Sequence, residues 1–427
     1  MTFLPICQRI IEGIKSRISS PDYLAQFKEE RHFIRKRKLS MRQVISFLLF
    51  SSKQPMSLNI ANIREELPSL QFPDVSKQAL SKARMGIRVE FFREQFHFSP
   101  ETFYAFLSQR NSWKGYFPFV IDGSRIQVPA TKDNISYFGL CRNGSHKRED
   151  PMASVSILYD ILHDIVVDGV LHEFTHGERS SAEEHLTWLE NHALTKNAII
   201  LCDRGYPSYE FFRRVDNNGY YFLMRVQKKV HSLTNGPSDD EIRDYVPEYK
   251  KGEKPVRVRV MHFVLEGGQE EWLVTNLLNP TLTPQDFKEL YFGRWRVEGK
   301  YREFKSQLEV EEFNGANHKS VEQEFYLCLL YSNVCSLLKA DADTLIEEET
   351  AGKKNKYKYQ ADRAYLIGRV KKWLVRLLYI VEDIGNKLEK LVEEASERRS
   401  QIQPNRKSKR PRIQLRQRHT NNRKTCV

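Results

Sequence analysis

The spacing of apolar and polar positions changes character along the chain. Over residues 1–95 it is helical: FIRKRKLSMRQVISFLLF sets Arg35, Lys36, Arg37, Lys38 and Arg42 ahead of an apolar stretch, and DVSKQALSKARMGI follows with Ser76 placed to cap. The period then shortens to that of strands. GYFPFVIDGSRIQVP reads as an apolar strand ending on Asp122, with Gly123 where the backbone must open. SVSILYDILHDIVVDGVLHEF gives two further strands around a turn at His163 and Asp164. SAEEHLTWLENHAL has helical spacing from Ser181 onward, and NAIILCDRGYPS is a continuous apolar run that ends on Asp203. A helix over 208–215 and the strand YYFLMRV complete the order β-β-β-α-β-α-β.

Three antiparallel strands followed by parallel additions with intervening helices match an α/β, ribonuclease H-like core. In that topology the first and fourth strands are parallel neighbours, so Asp122 and Asp203 are expected to face each other. Two unpaired carboxylates would repel there, and a divalent metal resolves the conflict. Between 226 and about 275 lies a β-rich insertion, with a polar loop at Asn235-Gly236-Pro237 and strand-like VRVRVMHFVL and EEWLVTNL. The expected organisation is a helical N-terminal domain over 1–95, a catalytic domain over 96–340 carrying that insertion, a helical C-terminal region over 341–397 and a disordered basic tail over 398–427. Short helices with interleaved Lys and Arg give the first of these a DNA-binding reading, helix-turn-helix in style, beside the plainer one of a helical subdomain with a charged surface.

The stretch YFGRWRVEGKYREFK, Tyr291 to Lys305, puts unusual chemistry on a helix that must also pack. Thr283 is placed to cap it, Pro284 suits its first position and Asp286 completes a capping box, and the helix is expected to run past Leu308. At about 100° per residue, Tyr291, Arg294, Glu298, Arg302 and Lys305 fall within an arc of roughly 80°. Leu290, Val297, Tyr301, Phe304 and Leu308 form an apolar stripe beside it, which sets the polar arc at the rim of a packed body. A single Glu among Arg, Lys and Tyr suits a metal-binding carboxylate among phosphate-gripping cations. The plainer alternative is a solvated face of i,i+4 ion pairs, Glu298 with Arg294 or Arg302.

Tyr291-x2-Arg294-x3-Glu298-x6-Lys305 resembles the YREK signature of the DDE transposases of bacterial insertion sequences, insertion-sequence family four. The resemblance implies that Asp122, Asp203 and Glu298 are the catalytic, metal-binding acids, holding two Mg2+ ions for which Mn2+ can substitute. Hard oxygen ligands are what such ions prefer, and an ion pair about 3.5 to 4 Å apart serves in-line displacement at phosphate. It assigns DNA contacts to Tyr291, Arg294, Arg302 and Lys305, with Trp295 able to stack on an unpaired base and Arg204 a further phosphate contact. Core filling is the more economical expectation for Trp295. The implied function is a DNA transposase that cuts at the terminal inverted repeats of an insertion sequence and joins them to target DNA, a homodimer holding both ends. The alternatives are a catalytically inactive transposase-derived DNA-binding regulator and a general nuclease.

Composition narrows the remaining classes. The formal charge is +13, but the stretch from Arg398 onward holds eleven Lys or Arg and no acid, so the rest of the chain carries only +2. A tail of that kind is expected to bind polyanions nonspecifically and with strong salt dependence, a solubilising extension being the plainer alternative. No run reaches the roughly 18 to 20 apolar residues of a membrane span, and the opening MTFLPICQRIIEGIKS does not read as a signal peptide. The protein is expected in the cytoplasm, at the nucleoid. The six Cys show no CxxC pair, as in a reducing compartment without a zinc module. HEFTH at 172–176 satisfies H-E-x-x-H but ends a β-rich run and meets Gly177 at once, whereas the protease motif needs a helix; His172 and His176 are expected at the surface or a cleft edge.

Overall fold

The computed structural model describes all residues except 1, 35–37, 108–109, 143–148, 229–231, 235–237, 266, 380–382 and 403–427. Arg35, Lys36 and Arg37 of the basic cluster, the Asn235-Gly236-Pro237 loop and most of the basic tail therefore lie outside the described residues. The chain opens with helices α1 (Leu4–Ser19), α2 (Pro21–Ala25), α3 (Met41–Phe50), α4 (Met56–Glu66), α5 (Lys77–Arg84) and α6 (Val89–Phe106). Then come β1 (Phe117–Gln127), α7 (Lys132–Phe138), β2 (Leu140–Arg142), β3 (Glu149–Asp160), β4 (Ile165–Glu173), α8 (Glu178–Asn191), β5 (Ala198–Cys202), α9 (Tyr209–Asn217) and β6 (Tyr221–Val226). β7 (Asp240–Tyr245), β8 (Val256–Val264) and β9 (Glu270–Thr275) precede α10 (Pro284–Gly293), α11 (Arg296–Ser306) and α12 (His318–Thr350). β10 (Lys358–Ala361), α13 (Arg363–Tyr379), α14 (Ile384–Glu397) and β11 (Arg399–Ile402) close the order.

Two compact units result. One is made of the described residues of Met1–Ser108, Ile126–Ala153 and Glu303–Val427, so the helices before residue 95 and those after 341 share a core. Its axis is α12, buried without interruption from Phe325 to Leu338 and packed on α6, α13 and α14. A helix apolar all round is one that others surround. The polar groups it takes inward are paired: Ser332 donates to Glu303 at 2.7 Å and Asn333 to Ser99 at 2.9 Å. Ser40 and Ser76 cap α3 and α5, the first through a full capping box with Gln43. The tail begins later than its charge suggests, because Arg399–Ile402 pairs antiparallel with Lys358–Ala361.

The other unit, Gln109–Arg125 with Ser154–Arg302, carries most of the sheet. Among the described residues the strands run β2-β3-β1-β5-β6-β9-β8-β7, with β4 also on β3. β1, β5 and β6 are mutually parallel, and β9, β8 and β7 add on antiparallel. The insertion thus extends the sheet itself. Its first strand, β7, escapes a sequence reading because DEIRDY is polar on both faces and half exposed.

Several boundaries differ from expectation for physical reasons. β1 runs through Asp122 to Gln127, and α7 and β2 intervene before β3. α8 starts at Glu178 rather than Ser181. The signature stretch is two helices: Thr283 caps α10 with the expected box to Asp286, but the backbone then tightens, with i to i−3 bonds from Arg294 to Tyr291 and from Trp295 to Phe292. Gly293 lies where a Cβ would come within 3.4 Å of Ile161 Cδ1, so the turn passes close to the end of β3. α11 ends at Ser306, short of Leu308, as Glu309 turns to a positive φ.

Candidate active site

The parallel register of β1 on β5 pairs Val120 with Leu201. Two residues further on in each chain stand Asp122 and Asp203, level with one another at the carboxyl end of β5, where open α/β sheets place their sites. Each Asp is followed closely by a glycine. A Cβ on Gly123 would come within 3.5 Å of Glu178 Oε1, and one on Gly205 within 3.0 Å of Glu178 Oε2. Both glycines leave room for Glu178, the first residue of α8, whose carboxylate acts electrostatically on Asp122. Sequence reasoning missed this residue; the signal was the pair of glycines, Asp122-Gly123 and Asp203-Arg204-Gly205, which point to a third group needing the space.

The electrostatics follow from burial first and from the neighbouring charges second. Burial, opposed by Arg294 and the Gly123 amide and reinforced by Asp203 and Glu178, pushes Asp122 from 3.8 up to about 6. Asp203 is better supported: the Arg204 amide donates to Oδ1 at 2.7 Å, the Tyr291 hydroxyl lies 3.3 Å from the same oxygen, and an Arg294 guanidinium nitrogen lies 3.7 Å from Oδ2. Burial disfavours the Arg294 charge, yet Tyr291, Asp203 and Asp122 outweigh it and hold its pKa above the usual value. The Tyr301 hydroxyl donates to the Asp122 carbonyl at 2.6 Å. Lys300 to Asp164 at 2.8 Å and Arg296 to the Ile161 carbonyl at 2.9 Å fasten α11 to the turn between β3 and β4.

The signature residues therefore divide. Tyr291 and Arg294, each 3 % exposed, point inward at Asp203. Glu298 lies on the helix between positions occupied by Arg294 and Tyr301, half-buried, its backbone N–H donating to the Trp295 carbonyl at 3.1 Å and its carboxylate, among the described residues, in no hydrogen bond or ion pair. Arg204 and Arg302 are exposed, and Lys305 is half-buried in the last turn of α11. Trp295 is 46 % exposed instead of filling the core, and Phe292 beside it is 73 % exposed. Among the described residues Asp122, Asp203 and Glu298 do not bring their ligand atoms within 4.8 Å of one another; the group that does is His172, His176 and Glu184. For the acids, mutual repulsion is sufficient reason. Their all-oxygen donor set, beside a buried Tyr206 hydroxyl without a hydrogen-bond partner among the described residues, fits a hard divalent cation.

Residues 113–334 match the family model of the transposase DDE domain, a span that contains all four carboxylates. The chain belongs to the transposase DDE domain family. DDE domains use divalent metals, in keeping with the donor set. No curated protein matches the chain. Among solved structures it is similar to one described as a cryo-EM structure of piggyBac transposase synaptic complex with hairpin DNA, at 9 % identity and a TM-score of 0.45, with 92 % of this chain and 85 % of that one covered. Among the described residues of this transposase no helix is long and apolar enough to cross a membrane.

Proposed function

We propose that the chain is the transposase of an insertion sequence of family four, that it cuts DNA at the element's terminal inverted repeats, and that it joins the freed ends to target DNA. The observation that carries this reading is the meeting of Asp122 and Asp203 at one level of the β1·β5 pair, with Tyr291 and Arg294 of the signature stretch docked on Asp203. The strand order β4-β3-β1-β5-β6 supports a ribonuclease H-like core beneath it.

In this reading Asp122, Asp203 and Glu298 hold two Mg2+ ions, with Glu178 as a fourth carboxylate. Bound there, the ions would activate an attacking oxygen and stabilise the leaving one. The chain's own contribution is placement. Arg294 lies against the Asp203 carboxylate and offers positive charge where a scissile phosphate would lie, while Tyr291 meets the same carboxylate through its hydroxyl. Tyr301 ties α11 to the β1 backbone at Asp122. Arg204, Arg302 and Lys305 serve as phosphate contacts, and Trp295 with Phe292 offers exposed aromatic faces to an unpaired base. A homodimer would hold the two ends together, in the cytoplasm at the nucleoid.

The test is cleavage by purified protein, with Mg2+ or Mn2+, of DNA carrying the element's own ends. Nicking at the ends followed by strand joining is expected. Binding that never leads to a nick would favour the regulator, and cutting without end preference or joining would favour a general nuclease.

A further inference from the structure

The H-E-x-x-H stretch is not on a helix, which removes the protease geometry, but the turn after β4 does something else with it. His172 stands near the end of β4 and His176 past the turn, and the chain folds back so that the two rings stack with centroids 4.0 Å apart. Both Nε2 atoms aim at one oxygen of Glu184 on α8: His172 Nε2 lies 2.8 Å and His176 Nε2 3.5 Å from Glu184 Oε1. Both Nε2 atoms are shielded from solvent, and among the described residues it is the Glu184 carboxylate that they face. Two imidazole nitrogens and one carboxylate oxygen, all within 4.8 Å of one another, are ligands arranged around a point.

We propose that His172 Nε2, His176 Nε2 and Glu184 Oε1 bind a first-row transition cation of the Zn2+ class, which ties the end of β4 to α8. Zinc bonds of about 2.0 to 2.2 Å set tetrahedral ligands about 3.3 Å apart, and the observed separations of 2.8 and 3.5 Å bracket that spacing. Two imidazoles and one carboxylate select Zn2+, Cu2+ or Ni2+ over Mg2+, whose preference is for oxygen alone. Three protein ligands leave a fourth position for water. The cation would also fix the height of α8, whose first residue is Glu178 at Gly123 and Gly205. The metal site stands apart from the transposase reading; only this last consequence rests on it.

The experiment strips the full chain with a chelator and titrates it with Co2+ in excess Mg2+, following visible absorption. One equivalent with the strong bands of tetrahedral cobalt is expected, together with a rise in thermal midpoint on adding Zn2+. His172→Ala and His176→Ala should each weaken Co2+ binding by more than about 10-fold, and Asp122→Asn should leave it unchanged. Should a histidine variant fold poorly by circular dichroism, Glu184→Gln, an exposed position, must show the same loss. Absence of tetrahedral bands, histidine and Glu184 variants that bind as the wild type does, or loss of the bands in Asp122→Asn would each overturn the site. Because Asp122→Asn removes the carboxylate centre alone, failure of the cobalt site and failure of the transposase reading give different patterns.

Discussion

Helix α8 serves two clusters of opposite character. At its first residue Glu178 adds a carboxylate beside Asp122, where burial above all, with Asp203 and Glu178 adding to it, pushes Asp122 up to about 6. Farther along the same helix Glu184 meets two imidazoles, which stack with centroids 4.0 Å apart. The oxygen cluster gathers like charges, relieved in part by Arg294; in the nitrogen cluster burial, with His176 beside it, holds His172 below the usual imidazole range against the pull of Glu184. A gathering of like charges belongs where charge changes during a reaction, and a pair of imidazoles facing a carboxylate belongs where a cation serves only to fasten. Variants should separate the two along that line.

The largest effects are expected at the oxygen cluster. Asp122→Asn, Asp203→Asn and Glu298→Gln should each lower end cleavage on the order of 10^3-fold or more, with binding to the end sequences retained in a gel-shift assay. His172→Ala, in the same single-turnover assay, should fall far less and show its defect in thermal stability. An acid variant that still cleaves within about tenfold of wild type would be struck from the site, given that a single well-placed catalytic group contributes at least 10^2. Next in size comes Glu178→Gln, expected to lose about 10- to 100-fold, the range for a group that supports metal ligands. Gly205→Ala tests the same contact from the other side. Its Cβ would press on Glu178 Oε2 from 3.0 Å, so the double variant should lose little more than Glu178→Gln alone. Additive losses would mean that the two residues act separately.

What the chain disclosed in advance, and what it withheld, divides along the same physical line. The strands ending at Asp122 and Asp203 were legible because buried parallel strands are runs of apolar residues, and PFVID and AIILCD are such runs with an acid at the end. The Thr283-Asp286 box was legible because it is local. Glu178 was not, since its partners are glycines some 55 and 27 positions away and no local pattern marks a space left for a distant side chain. The inward turn of Tyr291 and Arg294 was hidden for a related reason: helical phase gives a face but not what that face meets. For His172 and His176 the strand period gave only a place along a strand or in a turn, at the surface or a cleft edge; that the turn at Phe174 and Thr175 brings the two rings onto each other is a tertiary fact no local pattern carries.

The smallest effect is on stability, and its sign runs against the usual consequence of losing a functional residue. With a folded pKa of about 6 against the ordinary 3.8, Asp122 makes the native state bind more protons than the unfolded chain between those values. Stability from this residue is therefore greatest below pH 4 and is lost as pH rises through about 6. At pH 7, with a chelator present, Asp122→Asn should be more stable than the wild type by on the order of 2 kcal/mol, and the advantage should shrink toward zero near pH 4. Denaturant unfolding at the two pH values measures it. Adding Mg2+ at pH 7 should raise the wild type and leave the variant where it was, because only the former gains ligand-linked stability at that centre. A variant that is less stable at pH 7 would mean that the Asp122 carboxylate is held by favourable contacts, and the contrast drawn between the two ends of α8 would then have no electrostatic basis.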